Sequence, residues 1–276
     1  MRTLLISVAV LALAACDRIA EQAPKVEAKP ALLAFDGAGA TEPAAIVRHG
    51  ERLATLLSCK GCHGDNLQGK NVTADDPATG AMWAPNLTLL MASYSDAELD
   101  RAVRGGVPKD GREMWFMPSE TYAHLHDKDF AALVAYLRTL QPAGKKMPPI
   151  SKGPQYLVDI ARGTYTAAPD MVKRYQAAPP VDLGPTHALG RYLAKTTCTE
   201  CHNSSLQGFE GFTPDLDIAG SYNAAELTAL LTTGEGKVKK DLGLMSETSK
   251  EAFSKFTPKE RAAVVAYIKA RVDRPQ

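Results

Sequence analysis

The strongest periodic signals in this chain are two amphipathic stripes that close two long blocks of sequence. Phe130, Leu133, Val134 and Leu137 fall at i, i+3, i+4 and i+7, and Val264, Val265, Ile268 and Val272 make a similar stripe. Apolar side chains recurring on one face in this way predict helices with a single buried side. Thr257-Pro258-Lys259-Glu260 supplies a start for the second of them: a capping hydroxyl, a proline at the first helical position and an acid three residues past the cap. Ser95 with Glu98, and Asn223 with Glu226, mark two more starts of the same kind. Further helical segments, each containing a glycine (Gly50 and Gly190), precede two clusters of cysteine. The pattern predicts a mainly α protein.

Elsewhere the pattern changes. Arg2 followed by the apolar run Leu4 to Ala15 has the layout of a secretory signal and is too short to span a bilayer. Residues 17–42, rich in Ala, Pro, Glu and Lys, show no sustained apolar period and predict a mobile tether. Residues 142–183, with Pro148-Pro149 and Pro179-Pro180, are too long for a plain turn and predict a connector that packs across its two neighbours, with a short helix near Tyr156 to Arg162. The expected division is a signal peptide (1–15), anchor and tether (16–42), first domain (43–141), connector (142–183) and second domain (184–276).

Composition narrows the function classes. Thirty-two Lys and Arg against 31 Asp and Glu leave no whole-chain bias toward nucleic acid. Aromatic residues at 7% are sparse for filling large cores, a shortage that a bound macrocycle would relieve.

The chain has five cysteines. Four of them form Cys59-Lys60-Gly61-Cys62-His63 and Cys198-Thr199-Glu200-Cys201-His202, two copies of C-x-x-C-H. The spacing has a chemical reason: two thiols reach the two vinyl groups of one haem, and the adjoining histidine turns a ring nitrogen onto the iron. A thioredoxin-like site needs a βαβ context that neither segment has. A zinc site would need the two pairs close together in sequence, whereas Cys62 and Cys198 lie 136 residues apart. Zinc gives no reason for a histidine after each pair, and disulfides give none either.

Alignment of the two motifs reveals an internal repeat. Leu67-Gln68-Gly69 answers Leu206-Gln207-Gly208, and Pro85-Asn86-Leu87 answers Pro214-Asp215-Leu216. Glu98 to Met117 and Glu226 to Met245 both span 19 residues, so the repeat pairs Met117 with Met245. A methionine thioether opposite histidine raises the potential of a haem iron and closes its open position, which suits electron transfer. Met245 is the only methionine after the second motif. In the first domain Met82, Met91 and Met114 compete with Met117; Met114 is the runner-up, and His124 or His126 would stand in if the register fails. Trp83, Trp115, Tyr94 and Tyr222 are candidates to donate to haem propionates or simply to pack around a ring, and His49 and His187 read as surface or helix residues.

With these residues in view, the chain resembles tandem class I cytochromes c over roughly residues 43–141 and 184–276. The resemblance implies two small helical folds, each wrapped around one covalent haem c. It implies attachment through Cys59, Cys62, Cys198 and Cys201, with axial ligands His63, Met117, His202 and Met245; Met117 precedes Pro118, as in the Met-Pro ligand loops of that family. It also implies that Gly50 and Gly190 let the first and last helices of each unit cross closely, beside Tyr136 and Tyr267. Leu13-Ala14-Ala15-Cys16 resembles a bacterial lipobox, which implies a lipid on Cys16 and a protein tethered to the periplasmic side of a membrane, the inner one by preference. The expectation is a dihaem electron carrier between a respiratory or dehydrogenase donor and a downstream acceptor, alone or as a subunit of a dehydrogenase complex. The alternative is a two-haem oxidoreductase, a peroxidase or sulfur-compound oxidase, with one haem open to substrate.

Overall fold

Each half of the chain is built on a crossed pair of helices brought together at a glycine. In the computed structural model, which describes residues 32–164 and 166–274, the first half contains α1 (Pro43–Leu56), α2 (Asp96–Val103) and α3 (Asp127–Thr139). A Cβ at Gly50 would collide with the backbone carbonyl of Ala132 and the Cβ of Tyr136, so only glycine lets α1 and α3 cross where they do. The predicted start of α2 is present as a full capping box between Ser95 and Glu98.

The connector is largely structured. It holds α4 (Pro154–Ala161) and α5 (Ala168–Ala177), the first close to the predicted short helix and the second unforeseen. It also supplies one strand of a small antiparallel pair, in which Gly80–Ala81 (β1) faces Ser151–Lys152 (β2) with Gly80 opposite Lys152. The second half repeats the first with α6 (Ala188–Thr197), α7 (Ala224–Thr233), α8 (Leu244–Glu251) and α9 (Pro258–Val272). Both expected capping boxes are formed, Asn223 with Glu226 and Thr257 with Glu260. Gly190 meets Ala263 and Tyr267 as Gly50 meets Ala132 and Tyr136.

The two halves share a core. Leu53, Leu56, Leu57, Tyr122 and Leu125 of the first belong to the same buried cluster as Leu193, Leu230, Phe253, Val264 and Ile268 of the second. Two fully buried carboxylates sit at this seam, Asp129 and Glu260, each in the first turn of the last helix of its half. Asp129 accepts from the Tyr192 hydroxyl of the other half at 2.8 Å and from His49 Nε2 at 2.8 Å. Glu260 accepts two bonds from the Arg52 guanidinium of the other half, at 2.7 and 2.9 Å. Arg52 stands two residues after Gly50 and Tyr192 two after Gly190, so the exchange is reciprocal.

The tether expected through residue 42 ends earlier. Residues 34–40 pack against the seam, with Phe35 only 2% exposed. The Phe35 amide donates to Asp129 at 3.0 Å and the Asp36 amide to Glu260 at 2.7 Å, so this segment is clasped by both buried acids. A single aromatic in an Ala- and Pro-rich stretch leaves no period to detect, which is why sequence patterning misses it. The signal segment 1–15, Cys16 and the tether up to residue 31 lie outside the described residues.

Candidate functional site

In both halves the residue after the last motif cysteine is held the same way. His63 Nδ1 lies 2.9 Å from the Pro85 carbonyl and His202 Nδ1 lies 2.9 Å from the Pro214 carbonyl. A carbonyl only accepts, so Nδ1 carries the proton and Nε2 is left with its lone pair free for a metal. Burial lowers the pKa of each imidazole and so favours the neutral, ligating form. The loop that follows is also duplicated. Leu67 and Leu206 both take left-handed backbone angles, φ 58° and 65°, and both are buried. Their carbonyls accept from the amides of Leu87 and Leu216, at 2.8 and 3.0 Å. This strained leucine fixes the descent of the chain from the histidine to the Pro-Asn-Leu or Pro-Asp-Leu segment.

The first half encloses a deep, mainly apolar cavity. Its walls include Cys59, Cys62 and His63, Met114 and Met117, and the apolar side chains of Leu87, Leu99 and Leu137. Met82 and Met91 also reach the wall, so all four candidate methionines surround one space. Neither His124 nor His126 is on it; His126 instead caps α3, accepting from the Lys128 amide at 3.2 Å. The Trp115 indole N–H borders the cavity and has no hydrogen-bond partner among the described residues. Tyr94 and Tyr222 use their hydroxyl oxygens alike, accepting from the amides of Lys109 and Lys237 at 3.2 and 3.3 Å.

Two additions roof the first site and have no counterpart in the second. The histidine and its carbonyl partner are 22 residues apart in the first half and 12 in the second. The extra residues carry β1, which pairs with β2 of the connector. Tyr156 of α4 stacks on Phe116 and meets Trp115 edge to face, with centroids 6.0 and 6.1 Å apart. The Ala168 amide donates to the Met114 carbonyl at 2.9 Å. The connector therefore grips the Met114–Met117 segment directly.

The four motif cysteines are free thiols. Burial pushes Cys59 up to about 12 and Cys198 and Cys201 up to about 11. Among the described residues no group of three or more His, Cys, Asp or Glu side chains is arranged to hold a bare metal ion. The residues do fit a haem: one mainly apolar space lined by two thiols, an imidazole whose Nε2 is left free, thioethers, and an unsatisfied indole N–H suited to a carboxylate of the macrocycle.

The profile of the cytochrome c family matches residues 47–141 and 187–271, and the chain belongs to that family. Two such domains, each with its C-x-x-C-H motif, bind covalent haem c. Among its relatives is the gluconate 2-dehydrogenase cytochrome c subunit of Pantoea cypripedii, 33% identical over 172 residues, which covers 57% of this chain and 38% of that protein. The alcohol dehydrogenase (quinone) cytochrome c subunit of Gluconacetobacter polyoxogenes is 30% identical over 191 residues, 64% of this chain and 39% of the relative. A subunit of the nicotinate dehydrogenase of Pseudomonas putida is 25% identical over 209 residues, 70% of this chain and 17% of the relative. The chain thus spans about two fifths, or less, of the length of the curated relatives it matches.

Proposed function

We propose that this chain is a dihaem electron carrier serving a dehydrogenase, held by a lipid on Cys16 at the periplasmic face of a bacterial membrane, the inner one by preference. What supports the reading is the repeated motif with its repeated histidine hold, Cys59, Cys62 and His63 in one half and Cys198, Cys201 and His202 in the other, together with Met117 on the wall of the first cavity and Met245 at the matching register position of the second half. Haem c, when bound, supplies a one-electron couple at each site. Cys59, Cys62, Cys198 and Cys201 would hold it, His63 and His202 would present neutral imidazoles, and Met117 and Met245 would supply thioethers. The two sites adjoin: Thr121, four residues past Met117, bonds through its hydroxyl to that of Thr199 in the second motif at 3.2 Å. That contact supports passage of electrons within one chain. The names of the relatives support a dehydrogenase as donor, and the Cys16 signal supports the location.

The first test is the haem-to-protein ratio of protein made with its attachment machinery, together with the weak Met-to-iron absorption band of the oxidised form. Two haems per chain, both with that band, are expected. Two haems with one band would favour the peroxidase or sulfur-compound oxidase alternative, as would rapid carbon monoxide binding by one reduced haem. Location is tested by Cys16→Ser, which is expected to move the protein from the membrane fraction to the soluble periplasmic fraction.

A further inference from the structure

The wall of the first cavity contains one residue from the other half of the protein. Glu200, the second variable position of the second C-x-x-C-H motif, lines it together with Cys59, Cys62, Met117, Pro118 and Tyr122. Its placement has a structural cause. The preceding residue, Thr199, is 1% exposed and is pinned from three sides. Its hydroxyl donates to the Lys195 carbonyl at 2.8 Å and meets Thr121 Oγ1 at 3.2 Å, and its carbonyl accepts from the Tyr175 hydroxyl at 3.3 Å. With Thr199 fixed against the 119–122 turn, the next side chain is carried into the neighbouring site.

Glu200 has no charge partner there. Among the described residues no Lys, Arg or His pairs with it, and no hydrogen bond satisfies its carboxyl. Its side chain borders the cavity and is exposed to solvent. The motif does not require it: the matching position in the first half is Gly61, where an added Cβ would meet nothing closer than Ser58 at 3.9 Å. The two motifs therefore differ at this position, with an acid in the second motif on the wall of the first site and a glycine at the matching place in the first motif.

We infer that Glu200 is a working part of the first haem's site, where its carboxylate holds down the reduction potential of that haem, so that the second domain completes the site of the first. The physical reason is charge: the oxidised iron carries one more positive charge than the reduced, so an anion in the wall of a mainly apolar site favours the oxidised form. The inference rests on the two-haem reading above.

The test is a potentiometric titration at fixed alkaline pH, where the carboxyl is ionised, on protein carrying two haems. The second haem's wave is identified as the one displaced by Met245→Ala. Glu200→Gln and Glu200→Ala are both expected to raise the other wave, that of the first haem, and Glu200→Asp to leave it close to its original position. If only one of the neutral variants loads both haems, that one decides. A first-haem wave that stays in place in a neutral variant, or that moves equally in Glu200→Asp, overturns the inference. The haem count of the unsubstituted protein tests the carrier reading separately, so a stationary wave on a two-haem protein counts against Glu200 alone.

Discussion

At the scale of single residues, the two sites are read through spacing and one hydrogen bond. Cys201→Ala is expected to leave the second haem attached by at most one thioether, seen by mass spectrometry as a chain that readily loses that haem in acid. Met245→Ala is expected to retain both covalent attachments and lower one of the two potentials, because the thioether ligand is lost while both thiols of that motif remain. An unchanged pair of potentials would remove Met245 as a ligand. In the first half, Met117→Ala and Met114→Ala settle the choice that register favours and the cavity wall leaves open, since both side chains line it. The variant that abolishes one Met-to-iron band names the ligand, and Met117 is expected to be that residue. Cysteines and histidines were legible because their chemistry fixes their neighbours at one- to three-residue spacing. Glu200 was not, because nothing local constrains the variable positions of C-x-x-C-H; its meaning comes from a half of the molecule elsewhere in the sequence.

At the scale of elements, caps and glycines carried most of the legible fold. All three predicted capping boxes are present, and each glycine expected at a helix crossing meets a backbone carbonyl and a tyrosine. Gly50→Ala or Gly190→Ala must push the crossed helices apart, at a cost on the order of 3 kcal/mol, read as a lower midpoint in chemical denaturation. The connector was harder to read. In α5 the buried stripe is Ala168, Val172 and Tyr175, only two of them large enough to register as a period, and the grip of Tyr156 on Phe116 exists only once α4 has docked. Between the 119–122 turn and α3, burial holds His124 down to about 4, and its Nε2 has no partner. An imidazole depressed from 6.5 binds its proton more readily in the unfolded chain. Its contribution is present above about 6.5 and is lost as pH falls toward 4. His124→Gln is therefore expected to flatten the fall in stability across that window, measured by denaturant midpoints at a series of pH values.

At the scale of the whole molecule, the two halves are fused through a polar seam as well as an apolar core. Sequence reading expected two folded units on a connector; it could not foresee that the N3 acid of each last helix, legible as a cap residue in Glu260, would also serve the opposite half. Asp129 and Glu260 are both fully buried, and each depends on a donor from across the seam and on a backbone amide of the Phe35-Asp36 segment. Removing one partner of such a pair leaves a charge buried without compensation, which costs more than the pair itself contributes. Arg52→Met is therefore expected to destabilise the protein by about 3 kcal/mol, the lower end of the usual range because Arg52 is itself about a fifth exposed. Adding Glu260→Gln to that variant should recover part of the loss, since the buried charge is gone and the one amide oxygen still accepts from one of the two backbone amides, Asp36 or Thr257, that the carboxylate served. Additive losses in the double variant would mean that Arg52 acts through packing of its stem and not through Glu260. Recovery would place the charge pair at the centre of the seam, and with it the fixed approach of Thr199 and Glu200 to the first site.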